Sequence, residues 1–201
     1  MRRRTDAANL RTVNDDPHLH VESAAEFGDW LAANHATMRG VWLVTWRSVT
    51  GRPAPSYDDA VTEALRYGWI DSTVRKLDDE RRMQRFSPRR PGSGWSRPNK
   101  ERIARLEAQG RLEPAGRAVV ENARADGSWN LLDSAEALDV PDDLAAALDG
   151  LPGAWAQWET FPPSARRAIL VWIAQAKRPA TRHKRVTETA SRAARGERAY
   201  P

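Results

Sequence analysis

The chain has 201 residues, enough for one mid-sized domain or two small ones, and its 32 Lys and Arg against 27 Asp and Glu give a net charge of +5. It contains no cysteine, which excludes disulfides and thiolate metal sites, and no apolar run long enough to cross a bilayer. The first twenty residues are polar and lack the hydrophobic stretch of a secretory signal. We therefore expect a disordered lead-in over 1–20 and a cytoplasmic protein.

The part of the chain that follows predicts mixed α and β structure. Ser23 and Glu26 have the spacing of a capping box at the start of a helix. The run VWLVTWRS, which begins after Gly40, is rich in β-branched and aromatic residues and predicts a strand. Ser56 then caps a predicted helix over 57–67, with acidic residues in its first turn.

A hairpin and two helices are predicted next. The segments WIDSTVRKL and RRMQRFSPR read as two strands joined at 78–80. The composition of RPGSG is typical of a turn. Pro98 suits the first position of a helix that ends at Gly110, and a further helix is expected from Pro114 to Ala125.

The C-terminal part predicts helices only. Pro141 starts one of them, Ser164 caps the apolar segment ARRAILVWIAQAK, Pro179 stops that segment, and Thr181 begins a last helix. An acidic, irregular linker is expected over 128–140. The fold class is therefore α+β, with a small antiparallel sheet and helices over 21–130 and a helical subdomain over 138–198.

Charge is segregated along the sequence. Basic blocks over 75–105 and 166–198 flank an acidic segment over 106–165. Such segregation creates a local field that a modest net charge would not create. Two interpretations remain open at this point, because the blocks could be solvated helix faces or the two halves of an anion site.

An anion pocket is predicted where arginines alternate with aromatic residues just before a helix start. Guanidinium groups bind phosphate or carboxylate in a bidentate manner, and the N-terminus of the predicted helix adds free N–H groups. Among the nine tryptophans, Trp95 is expected to face the ligand and Trp46 is the second choice, whereas the others belong to the core. The predicted ligand-binding residues here are Arg85, Arg89, Ser93, Trp95, Ser96, Asn99 and Lys100.

A second basic cluster extends this prediction. Arg182 and Arg185 share a face at the start of the last helix, where the helix dipole disfavours cations. They are therefore expected to contact either a protein carboxylate or a ligand. The leading hypothesis is a binding protein that holds a nucleotide, a nucleic-acid backbone or a phosphorylated metabolite in a cleft between the two basic blocks.

Catalytic signatures are weak in this sequence. Asp71, in WIDS, could be an acid or base, but a structural ion pair is the more common role of such a residue. His18 and His20 alone do not make a metal site, so we predict no metal and no cofactor. An enzyme that uses Asp71 on an anionic substrate remains an alternative, and a protein-interaction module with tryptophan-rich helices as its docking surface is another.

Several segments together resemble the YdeI/OmpD-associated family, also called bacteriocin-protection proteins. They are GVWLVTW at 40–46, YDDAVTEALRYGWID at 57–71, QRFSPRRPGSGWSRPN at 84–99, LEPAG at 112–116, VPDDLAAAL at 140–148 and AKRPATRHKR at 176–185. The resemblance implies an α+β part followed by a small helical domain. It also implies a link to resistance against bacteriocins or antimicrobial peptides, and it implies little chemistry.

Overall fold

The structure, a computed structural model, describes residues 16–200, which contain four strands, nine α-helices and a short 3-10 helix at Ser48–Thr50. The predicted α+β class is confirmed. The described residues form two compact units. Unit 1 comprises 16–90 and 102–119, and unit 2 comprises 91–101 and 120–200. The domain limits predicted from the sequence, 21–130 and 138–198, stay a prediction.

All four strands belong to unit 1. They are β1 (His18–His20), β2 (Val41–Trp46), β3 (Trp69–Lys76) and β4 (Arg81–Pro88). The sheet order is β1-β2-β4-β3, with β1 parallel to β2 and the other neighbours antiparallel. Residues of β3 and β4 form the predicted hairpin.

Strand β1 corrects the predicted lead-in, which was expected to be disordered as far as residue 20. The backbone of β1 pairs with β2, so that Leu19 lies opposite Leu43, and Val21 N donates to Val44 O at 3.1 Å. A three-residue strand has almost no compositional signal of its own, because its order comes from its partner. The remainder of the predicted lead-in, residues 1–15, lies outside the described residues.

The helices follow the strands and turns in the predicted order. Four begin before residue 120: α1 (Ala24–Asn34), α2 (Tyr57–Arg66), α3 (Arg97–Ala108) and α4 (Pro114–Ala125). Five follow in unit 2: α5 (Asp133–Ala137), α6 (Asp142–Asp149), α7 (Ala154–Thr160), α8 (Pro163–Ala174) and α9 (Pro179–Ala193). Over residues 16–200, no helix combines the length and the apolar character that a membrane crossing needs.

The predicted caps of the first two helices are confirmed. Ser23 Oγ accepts from Glu26 N at 3.3 Å, and the Glu26 carboxylate returns to accept from Ser23 Oγ and from Glu22 N. Ser56 Oγ accepts from Asp59 N at 3.1 Å. Gly68 then joins α2 to β3 with a φ of 74°, a backbone conformation that favours glycine.

Two helix starts in unit 2 differ from the prediction. Helix α8 begins at Pro163 and not after a Ser164 cap, and α9 begins at Pro179, which was expected only to stop the preceding helix. Proline fits the first turn because its φ suits a helix and its missing N–H is not needed there. The expected linker over 128–140 also contains α5, and Ser128 and Leu132 within it are buried.

The core of unit 1 lies between the sheet and helices α1 and α2. The ring of Phe27 on α1 contacts the ring of Phe86 on β4 at 5.0 Å between centroids, and Trp30 meets Trp69 edge to face at 5.9 Å. Strand β2 has five consecutive buried residues, which is typical of a strand that is covered on both faces.

Unit 2 has a separate core formed by its short helices. Leu144 and Leu148 of α6, Trp158 of α7, and Ile169 and Ile173 of α8 are each at most 1% exposed. These apolar residues of three helices are therefore buried together, as helix packing requires.

Close packing around Gly116 generates the first prediction. A Cβ atom at Gly116, near the start of α4, would contact the Arg66 carbonyl oxygen at the end of α2 at an impossible distance. We expect Gly116→Ala to lower the free energy of unfolding by about 3 kcal/mol, because backbone on both sides must move.

Gly150→Ala is the matched control. Its φ is −69°, and the nearest atom to an added Cβ is 3.5 Å away. This substitution should leave stability unchanged or raise it by about 0.5 kcal/mol. Urea denaturation of both variants measures the difference, and equal stabilities would contradict the packing argument.

Candidate functional site

Arg85, the first predicted ligand-binding residue, is already paired with a carboxylate. Its Nη2 lies 2.7 Å from Asp16 Oδ2, and its Nε donates to the same oxygen at 2.8 Å. Both side chains are largely buried, at 14% and 13% exposed. Gly40 leaves the space that this pair occupies, because a Cβ there would contact both side chains. The charge of Arg85 is therefore used within unit 1.

Trp95 is a buried side chain and does not form an exposed, ligand-facing surface. Its side chain is 1% exposed, and its ring packs against Trp129 with 4.9 Å between centroids. Burial of so large an apolar surface outweighs the advantage of an exposed indole. The sequence could not distinguish these outcomes, because arginines flank Trp95 on both sides.

The neighbours of Trp95 have mainly structural contacts. Lys100 Nζ forms an ion pair with Asp133 Oδ1 at 2.5 Å and lies 5.4 Å from the centre of the Trp129 ring. The Ser96 carbonyl accepts from Asn99 N and from Lys100 N, which forms the first turn of α3. Ser93, Ser96 and Asn99 are all partly exposed in unit 2.

Arg182 and Arg185 also have partners within unit 2. Arg182 binds Asp143 in a bidentate manner, with Nε at 2.7 Å and Nη2 at 2.9 Å from its two oxygens. This contact lowers the pKa of Asp143 below its ordinary value. Arg185 lies over the Trp172 ring at 4.9 Å and donates to the Trp172 carbonyl. Of the two partners predicted for Arg182, the structure provides the protein carboxylate.

The predicted pocket residues therefore fall into two sets. Arg85 and Arg89 belong to unit 1, whereas Ser93, Trp95, Ser96, Asn99, Lys100, Arg182 and Arg185 belong to unit 2. Three of the cations are paired with carboxylates of their own unit. A ligand site formed from both sets stays a prediction.

Asp71 is held by two neutral donors in unit 1. Its Oδ2 accepts from Tyr57 Oη at 3.1 Å and from Gln84 Nε2 at 2.8 Å. Burial lowers the pKa of Arg89 to about 10, and the charge of Asp71 opposes this shift. The Arg89 guanidinium therefore stays protonated at neutral pH. Burial, with the charge of Asp71, also raises the pKa of Tyr57.

A cavity of about 430 Å³ in unit 1 has a different character. We call it the arginine cavity. It forms where β2 ends and the chain turns toward α2. The residues that line it are Trp46, Arg47, Ser48, Arg52, Ala54, Pro55, Ser56 and Arg82. Three are arginines and none is acidic, so the lining has a strongly positive charge.

Two of these arginines lack a carboxylate partner within residues 16–200. Arg47 Nη1 donates to the Asp79 carbonyl at 2.8 Å, and Arg82 Nε donates to Thr45 Oγ1 at 3.4 Å. Neutral acceptors hold a guanidinium in place without cancelling its charge. The third, Arg52, forms an ion pair with Glu80 at 3.4 Å, in which both side chains are about half exposed.

Trp46 gives the arginine cavity an oriented aromatic wall. Its Nε1 donates to Glu22 Oε1 at 3.0 Å, and the His20 ring meets it edge to face at 4.7 Å. The guanidinium of Arg52 lies over the indole at 4.2 Å. From the sequence, Trp46 is only the second choice as a ligand-facing tryptophan, and Arg47, Arg52 and Arg82 are not predicted as a group.

The sequence does not group these arginines, because Arg82 is 30 positions or more from Arg47 and Arg52 along the chain. Arg82 joins the others through the β2–β4 register, which places Thr45 opposite Arg82 and Trp46 opposite Arg81. The sequence feature that could have indicated the arginine cavity is the GRPAPS loop, which follows the predicted strand VWLVTWRS. Among the described residues, no group of three or more histidine or acidic side chains is placed to hold a metal ion.

These features define an α+β protein with a positively charged cavity beside its sheet. Residues 19–119, half of the chain, match the model of a family described as Domain of unknown function (DUF8412), and the chain belongs to this family. Residues 137–196 match the model described as Bacteriocin-protection, YdeI or OmpD-Associated, which confirms the resemblance over the C-terminal helices. No curated protein and no solved structure matches the chain.

The buried pair of Arg85 and Asp16 generates the second prediction. Arg85→Gln and Asp16→Asn should each lower the free energy of unfolding by about 3 kcal/mol, because each leaves one buried charge without its partner. The double variant should lose clearly less than the sum of the two. Chemical denaturation in a double-mutant cycle measures this coupling. Additive losses would show that the two residues act independently.

Proposed function

We propose that the protein binds a small anionic ligand in the arginine cavity. The observation that carries this proposal is that three arginines, and no acidic residue, line one cavity. A volume of about 430 Å³ lies in the range of small-molecule sites. The match of the C-terminal helices to a bacteriocin-protection family supports a role of this binding in resistance.

The chemistry of the lining suits a phosphate or carboxylate group. Each guanidinium offers planar, paired donors that match two anion oxygens, and Ser48 adds a hydroxyl donor. Ser56 is less available, because its hydroxyl donates to Asp59 Oδ2 at 2.6 Å. The main contacts of the anion would therefore come from Arg47, Arg82 and Arg52.

The two alternatives have less support. For an enzyme that uses Asp71, one carboxylate oxygen already accepts two hydrogen bonds, from Tyr57 and Gln84. For an interaction module, a tryptophan-rich docking surface would need exposed indoles. The exposed large hydrophobic residues between 16 and 200 include no tryptophan and are Val49, Tyr57, Val74, Leu131 and Tyr200.

The third prediction tests anion binding directly. Arg82→Gln should weaken the binding of a phosphorylated ligand by about tenfold or more, because it removes a charge-assisted contact at the cavity wall. Isothermal titration calorimetry with ribose 5-phosphate measures the change.

Arg39→Gln is the control for this measurement, because Arg39 is an exposed arginine of unit 1 that does not line the cavity. It removes the same charge and should change affinity less than twofold. If the wild-type protein binds no phosphorylated ligand, or if both variants weaken binding equally, the proposal is wrong.

The fourth prediction concerns the carboxylate that competes for Arg52. Glu80→Gln should strengthen anion binding by about threefold, because Arg52 then loses its ion pair and turns more readily toward the ligand. Asp79→Asn removes the neighbouring charge, but the Asp79 carboxylate pairs with Lys76, and the substitution keeps the backbone carbonyl that accepts from Arg47. This control should have a smaller effect, and equal effects would indicate a general change in surface charge.

A further inference from the structure

We propose that the ligand of the arginine cavity is a phosphate ester that carries a heteroaromatic ring, as in a nucleoside monophosphate, and that Trp46 stacks on that ring. This inference rests on the proposed function and specifies its ligand. The arginines account for the phosphate. The ring is inferred from Trp46 and from the guanidinium of Arg52, which lies over it.

The indole of Trp46 is a fixed, flat surface. Its N–H is bound to Glu22, and its edge is supported by the His20 ring, so the indole is held in one orientation before any ligand arrives. A side chain that is ordered in advance loses little entropy on binding. Aromatic surfaces of this kind can stack with any nucleobase, because every base has a flat π-face.

A planar group already lies on this surface. The Arg52 guanidinium is 4.2 Å from the centre of the Trp46 ring, and both residues line the cavity. The space over the indole therefore accepts a flat group at stacking distance. A heteroaromatic ring fits the same space and buries more apolar area than a guanidinium does.

The side chain of Arg52 is held weakly enough to move away from the Trp46 ring. Its ion pair with Glu80 is 3.4 Å long, and the two side chains are 48% and 58% exposed. Exposed ion pairs of this kind add little to stability. A phosphate near Arg47 and Arg82 would attract the Arg52 guanidinium, and this movement uncovers the part of the indole that Arg52 occupies. The Arg81 guanidinium lies farther away, 5.9 Å from the ring centre.

The size of the cavity points to a single nucleotide unit. Its lining contains one aromatic side chain, whereas a protein that tracks a nucleic-acid strand offers successive aromatic surfaces along a groove. Inorganic phosphate alone would leave most of the 430 Å³ to water. A nucleoside monophosphate uses both the arginines and the indole.

The test compares inorganic phosphate, ribose 5-phosphate and adenosine 5′-monophosphate with the full chain by titration calorimetry. We expect adenosine 5′-monophosphate to bind about tenfold more tightly than ribose 5-phosphate. Trp46→Leu should remove this difference, because it takes away the stacking surface for the base and keeps the three arginines. Arg82→Gln should weaken both ligands by a similar factor.

A second variant, Trp46→Phe, is the control for a loss of structure in Trp46→Leu. Trp46→Phe keeps an aromatic ring at this position, and we expect it to retain part of the preference for the nucleotide. If ribose 5-phosphate and adenosine 5′-monophosphate bind equally to the wild type, the ring assignment is wrong and anion binding stands.

Two further outcomes would also overturn the assignment. If none of the three probes binds, both the assignment and the proposed function fail. If a single-stranded oligonucleotide binds more than tenfold tighter than the monophosphate, with a steep dependence on salt, the ligand is nucleic acid and not a mononucleotide.

Discussion

The two-sided pairing of strand β2 is the constraint on which unit 1 depends. β2 pairs with β1 along one edge and β4 along the other, and its residues from Val41 to Thr45 are all buried. The strand is apolar from Val41 to Val44, and polar side chains begin with Thr45 near its end. Trp46, Arg47 and Ser48 stand at that end, and the register with β4 brings Arg82 beside them. The arginine cavity is thus a consequence of where β2 leaves the core.

Charge pairing decides which of the many cations can act on a ligand. Arg85, Lys100 and Arg182 lie in regions that are dense in basic residues, yet each is paired with a carboxylate at 2.7 Å or less. Arg47 and Arg82 lie beside neutral acceptors, and their charges remain available. The density of arginines in the sequence is therefore a poor guide to an anion site, because the decisive carboxylates can be distant in the chain.

Three glycines within residues 19–119, the part that matches the DUF8412 family, have structural explanations. Gly40, in GVWLVTW, leaves room for the Arg85–Asp16 pair, and Gly116, in LEPAG, lets α4 approach the last carbonyl groups of α2. Gly68 supplies a left-handed turn between a helix and a strand. These positions restrict the fold through close approach and backbone conformation, and they carry no chemistry of their own.

The sequence by itself determined the α+β class, the hairpin, and the caps at Ser23 and Ser56. These are local properties, set by capping hydrogen bonds, turn residues and the period of the apolar positions. Tertiary structure decided strand β1, the burial of Trp95, and the partners of Arg85 and Arg182. The same is true of the arginine cavity, since Arg82 lies 26 positions or more from its other lining residues. Contacts between distant segments leave no periodic signal in the sequence, and only the folded chain brings them together.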